Sequence, residues 1–227
     1  VPALPDSKAA GAASQPGDWR VEAARYVLFG RILPTLRHAL VGELQALRFG
    51  VRILNEASDK PVEFGNAIQR LEQASGRGIA GVDAITRWFQ PDPDAPTVAD
   101  QAVDECLELL NGEWQMRGIA LSQRRRVGRS RVRGWPFREV LAGCLVALTD
   151  DLPGAGDIDL SVRVRGAALW LTLRGDPSDR EGESARSALP RRLRWEDVDA
   201  LAAAHSLTLR RRGRRVAVRF PALDAES

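Results

Sequence analysis

The chain holds two histidines and two cysteines, so its nitrogen and sulfur nucleophiles are few. His38 lies in LRHALVGELQALRFGVRIL, Leu36 to Leu54. Around it Leu33, Leu36, Leu40, Leu47, Val51 and Leu54 recur at helical steps of three, four and seven, the apolar seam of an amphipathic helix. At about 100° per residue, His38 lies about 200° around from both Leu36 and Leu40, and so points away from that seam. An outward imidazole is a candidate nucleophile through Nε2 of the neutral ring. The plain alternative is an ordinary surface histidine. His205 falls where a later helix should end and reads as a capping or packing residue. Cys106 and Cys144 sit among apolar residues in helical patterns and read as buried thiols. No short-spaced cluster of Cys, His and carboxylates suggests a metal site.

The elements that must position His38 follow from the pattern. A long helix is expected from about Asp18 to Asn55, bent near Gly30–Pro34 because a mid-helix proline removes a backbone hydrogen bond. Asn55 to Pro61 is a turn, with Asp59 as the expected cap of the next helix and Pro61 in its first turn. The second helix runs to about Phe89 on a seam that includes Phe64, Ile68, Leu71, Val82 and Phe89. Two long helices with a short loop form an antiparallel hairpin. One hairpin cannot bury such stripes alone, and two together make a four-helix bundle, so a homodimer is expected.

Gln90 to Pro96 (QPDPDAP) is the expected linker. Beyond it helix and strand alternate: helix Ala99–Arg117, a short strand at Ile119–Leu121, helix Pro136–Thr149, strands Asp157–Arg165 and Ala168–Leu173, helix Trp195–His205, and a closing hairpin around Gly213. Helices on one side of a mixed sheet make an α/β sandwich. The fold class is thus α+β. The expected units are a flexible tail over 1–17, a helical hairpin over 18–90 and a sandwich over 97–222, with a mobile loop at Gly175–Pro190.

The 227-residue chain carries a formal net charge of only +3. Its arginines are uneven, with one run from Arg124 to Arg133 and another from Arg210 to Arg215. The first could contact phosphates, but only Trp135 is near it, so no stacking platform is evident and nucleic acid is not expected as a partner. No apolar run approaches the roughly 20 residues of a membrane span. A cytoplasmic location without membrane contact is expected.

The order of parts resembles bacterial sensor histidine kinases, from about Tyr26 to Pro221. In that family the hairpin dimerises and carries the phosphorylated histidine, and the second domain has a Bergerat-type ATPase fold. Leu36 to Leu54 is similar to the phosphoacceptor box, with His38 as the acceptor. The resemblance also marks departures. Ala39 stands where active kinases place an acid that serves as base toward the imidazole, and Glu43 approaches only loosely. In FREVLAGCLVALTDD, Phe137 to Asp151, the asparagine that ligates Mg²⁺ falls on Ala147, whose methyl coordinates nothing. In LTLRGDPSD, Leu171 to Asp179, the adenine-binding aspartate falls on Gly175, Asp176 is one residue late and the second glycine of the turn is missing. EGESARSALPRR lacks the glycine-rich lid that cradles phosphates.

The resemblance with these gaps implies a histidine phosphotransfer protein without ATP. It would be a homodimer that exchanges a phosphoryl group between His38 and the aspartates of response-regulator receiver domains. Arg37 and Arg48 would attract an acidic receiver or neutralise phosphoryl oxygens, and Gln45, two turns on from His38, would hydrogen-bond phosphate. No cofactor is expected in the chain itself, Mg²⁺ coming with the receiver. The alternative is a non-catalytic dimeric adaptor, a pseudokinase that binds a receiver or kinase.

Overall fold

The computed structural model describes residues 18–178 and 192–223. The expected tail over 1–17, the expected mobile loop from 179 on and all of the lid segment but Arg192 lie outside the described residues, whereas Gly175–Pro177, expected to open that loop, are strand. Helix α1 (Asp18–Glu56) runs unbroken through Pro34, and α2 (Pro61–Phe89) returns alongside it. Pro61 opens α2 as expected, but Asp59 does not cap it. Lys60 is the residue at the cap, with no side-chain hydrogen bond, so the fixed φ of proline starts this helix.

The second unit begins earlier than the linker pattern suggests. Pro96–Val98 forms β1, which pairs antiparallel with β3 (Arg131–Arg133). Between them lie α3 (Ala99–Arg117) and β2 (Ile119–Arg126). Gly118 closes α3 in the left-handed region at φ 65°, which a residue without Cβ adopts at little cost. Strand β2 is longer than the apolar triplet Ile119–Leu121 suggests, because the sheet carries the arginine run as well. Then follow α4 (Gly134–Asp151), β4 (Gly156–Arg165), β5 (Ala168–Pro177), α5 (Trp195–Ala204), β6 (Leu209–Arg212) and β7 (Arg215–Pro221).

The sheet order is β2-β4-β5-β7-β6, with β2 parallel to β4 and the other pairs antiparallel. Alternation along the strands sends Ile158, Leu160, Leu171, Leu173, Val216 and Val218 into the core, all 1% exposed or less. Helices α3, α4 and α5 cover that face, and α4 is buried along its whole length except its last residue. This is the expected helical hairpin followed by an α/β sandwich. Among the described residues no helix is long and apolar enough to cross a membrane.

The first half of α1 is built into the sandwich. Ala24, Leu28 and Ile32 are fully buried in the same core as Phe137, Leu141 and Leu201. The seam residue Leu36 is the last of this buried set on α1. At the base of the hairpin Phe29 stacks on Phe89 with ring centroids 5.0 Å apart, and Trp88 meets Trp135 edge-on at 5.7 Å. Each such aromatic pair contributes about 0.5–1.5 kcal/mol beyond its buried area.

Candidate functional site

His38 stands two residues past the end of the buried half of α1. It is exposed, as are Arg37, Ala39, Gln45 and Arg48, whereas Leu36 is buried and Leu40 half-buried. The helical wheel thus places the imidazole as the seam argument requires. His38 makes no hydrogen bond or ion pair among the described residues. One turn further on, Gly42 has nothing within 4 Å of where a Cβ would stand. The surface beside the imidazole is therefore bare, with room for a second domain to approach the ring. Sequence reasoning missed Gly42, although its spacing of four from His38 puts it on the same face.

Glu43 is engaged elsewhere. Both its carboxylate oxygens lie 3.0 Å from Arg77 Nε on α2, an ion pair that bridges the hairpin. It braces the two helices beside the histidine, and the structure does not bring it to the imidazole. Arg37, Arg48 and Gln45 stay on the open surface of α1 without partners among the described residues. On the helix Gln45 shares the histidine's face, while Arg37 and Arg48 both lie about 80–100° to the same side of it. Arg37, Gln45 and Arg48 are free to meet an incoming group, and Glu43 is not.

The second region of interest is the place where the resemblance would put a nucleotide. Ala147 is 1% exposed and packed inside α4's surroundings. Gly175 is pressed against Leu148, whose Cγ and Cδ1 lie 3.1 and 3.0 Å from the position of a Cβ. A side chain there would need Leu148 to give by a few tenths of an ångström. The two positions that the resemblance assigns to Mg²⁺ and adenine are thus a buried alanine and a glycine packed against a leucine. Among the described residues no group of His, Cys and carboxylates has the arrangement of a metal site.

Two buried ion networks hold α1 to this region, and the sequence pattern did not signal them. Arg31, 6% exposed, reaches Asp150 at 3.0 Å and receives the Glu113 carboxylate on Nε at 2.8 Å. Arg117 joins at 3.2 Å from Asp150 Oδ1, and the Leu193 amide donates to Asp150 Oδ2 at 3.0 Å. Burial alone would lower the Arg31 pKa, but hydrogen bonds to Glu113 and Asp150 outweigh it and hold the guanidinium well above its usual range. Arg31 thus ties α1 to α3 and α4 with a permanent charge. In the second network Arg25 Nε donates to Glu139 Oε1 at 2.7 Å, and the His205 ring lies 2.5 Å from Glu139 Oε2. The hydrogen bond to Glu139 raises the Arg25 pKa. His205 follows α5 as its C-cap residue and packs as expected, with a buried carboxylate as partner.

Cys106 and Cys144 are fully buried and unpaired by a disulfide. Burial pushes both thiols far above their ordinary value, which keeps them protonated and inert.

No protein-family model matches the chain, and no curated protein matches it. Solved structures do. The histidine kinase AdeS of Acinetobacter baumannii is 13% identical over 82% of this chain and 98% of its own, with a TM-score of 0.44. A histidine kinase from Burkholderia phymatum is 17% identical over 85% of this chain and 99% of its own, with a TM-score of 0.39. A bacterial phosphotransferase is 11% identical over 85% of this chain and 95% of its own, with a TM-score of 0.38.

Proposed function

We propose that this protein is a histidine phosphotransfer protein of a bacterial two-component phosphorelay, working as a cytoplasmic homodimer without ATP. The observation that carries the proposal is His38, exposed and unpartnered just beyond the docked half of α1. In the transfer step Nε2 of the neutral imidazole attacks the phosphorus of a receiver's aspartyl phosphate. The N–P bond forms as the acyl O–P bond breaks, and the aspartate leaves as a carboxylate with the bonding pair. The phosphoimidazolium so formed releases its Nδ1 proton to solvent, and the reverse step passes the group to a second receiver. Mg²⁺ comes with the receiver's carboxylates. An aspartyl phosphate is already activated, so the step demands less of a neighbouring base than ATP does. That suits Ala39 and a Glu43 committed to Arg77.

Arg37 and Arg48 attract the acidic receiver and neutralise phosphoryl oxygens, and Gln45 hydrogen-bonds them. The dimer is supported by apolar side chains left on the free half of the hairpin: Leu44, Phe49, Val51, Ile79 and Val82 are each 48% exposed or more. A second hairpin would cover them in a four-helix bundle. Leu148 against Gly175 supports the absence of nucleotide chemistry.

The other reading is a dimeric adaptor that binds a receiver without passing phosphate. It is favoured by the same Ala39 and Glu43 geometry. Incubation with a ³²P-phosphorylated receiver separates the two. Transfer predicts label on the wild-type chain and none on His38→Ala. Receiver binding with no label on either protein would leave the adaptor.

A further inference from the structure

The two arginine runs, far apart in sequence, supply the opposite edges of one surface. Strand register sets them in rows across the open face of the sheet, opposite the helix layer and away from α1. One row runs Arg126–Arg163–Trp170–Arg219 through β2, β4, β5 and β7. The next places Arg124 and Arg210 at its two ends, with the hydroxyls of Ser161 and Thr172 between them. Arg124, Arg126, Arg210 and Arg219 are exposed, and Arg163 and Trp170 are half-buried. None of these five arginines has a carboxylate partner among the described residues. The carboxylates of this face, Asp157, Asp159 and Asp176, are gathered at the far end of β4 and β5. There Asp159 accepts a hydrogen bond from Ser122 and Asp176 pairs with Arg174.

The aromatic platform that the linear sequence lacked is therefore present. Trp135, the only tryptophan near the first arginine run, is buried against Trp88 at the base of the hairpin. Trp170 comes from β5 instead, between Arg163 and Arg219 in the same row. Shallow grooves flank it. One of about 400 Å³ lies between Trp170, Arg210 and Arg219, and another of about 320 Å³ between Arg124, Arg163 and Thr172.

We propose that this face binds single-stranded nucleic acid, with phosphates on the guanidinium groups and a base stacked on Trp170. Guanidinium forks match the oxygens of a phosphate in pairs. A half-exposed indole set among them offers a π-face to any base, and that is the chemistry of single-strand binding. An acidic peptide has charges for the arginines but no flat ring for Trp170. A duplex keeps its bases stacked, and the face presents no projecting helix or ribbon to enter a groove. The site is independent of His38, because it lies on the opposite side of the sandwich from α1.

Fluorescence anisotropy of a labelled oligothymidylate 20-mer with the full chain, at graded salt, tests the proposal. With five phosphates contacted, log K should fall against log salt with a slope of about −3.5. Arg163→Glu with Arg219→Glu should weaken binding at least tenfold and flatten the slope by about 1.4. Trp170→Ala should weaken it roughly 5- to 160-fold with little change of slope, because stacking is the part lost. Both variants should keep wild-type melting and labelling of His38, which excludes misfolding. No binding at about 50 mM salt would overturn the proposal. Equal competition by polyglutamate would assign the face to an acidic protein, and equal binding of a duplex would remove the role of Trp170.

Discussion

The two halves of α1 have the same kind of apolar spacing and opposite fates. From Asp18 to Leu36 the stripe of Ala24, Val27, Leu28, Ile32 and Leu36 is buried against α3, α4 and α5, although Leu33, expected on the seam, is exposed, and Arg25 and Arg31 are fixed by buried carboxylates. From Arg37 to Glu56 the stripe meets only α2, much of it stays exposed, and the charged groups other than Glu43 are free or form local surface pairs. A repeat of three and four says that a helix has an apolar side. It does not say whether that side is covered by its own chain or by another. What separates the halves is the polar context: buried guanidiniums with carboxylate partners where the helix is docked, open surface with a lone imidazole where it is not.

The comparison can be broken at either half. The largest effect is expected on the free half. Leu44→Asp with Val51→Asp places two charges in the face proposed to pair two hairpins. Burying such charges without partners is prohibitive, so sedimentation should show a dimer become a monomer, while the α/β unit keeps its fold. A monomeric wild-type chain would remove the four-helix bundle from the account. On the docked half, Arg31→Ala leaves the buried Asp150 and the half-buried Glu113 with only Arg117 to neutralise them. Breaking a buried ion pair from one side costs about 3–5 kcal/mol, a loss that denaturant unfolding would read directly. Arg48→Ala, on the free half, should change stability by less than about 0.5 kcal/mol.

The smallest effect concerns the thiols. Both are raised by burial, and their ordinary pKa is 9.0. Their raised folded values mean that the unfolded chain loses these protons first. The stability they contribute is full below about pH 9 and declines as the medium becomes more alkaline. Alkylation at pH 8 should accordingly be slow in the native protein and rapid only in denaturant. Fast labelling of Cys106 or Cys144 would contradict the closed core.

Much of this arrangement was legible in the sequence. Hairpin, sandwich, helix order and the outward turn of His38 follow from local periodicity and turn residues, which act over a few residues. The reach of β2 to Arg126 was not, because its arginines alternate with arginines and glutamine and give no period of two in hydrophobicity. Strand β1 is only three residues long and is specified by pairing with β3. The Arg31 and Arg25 networks join positions more than eighty residues apart, and no local pattern encodes them. At the candidate site, His38, Arg37, Gln45 and Arg48 are free as the spacing suggests. The commitment of Glu43 to Arg77 depends on how α2 is registered against α1, which spacing within one helix does not fix.

The proposed role of the free half of α1 requires that phosphate enter from an aspartate and not from nucleotide. The most direct measurement is ³¹P nuclear magnetic resonance of the full chain offered two donors in turn, Mg²⁺–ATP and a phosphorylated receiver. The account predicts no change with ATP, and with the receiver a single phosphohistidine signal that is absent in His38→Ala. A phosphohistidine formed from ATP alone, or one that survives loss of His38, would contradict it.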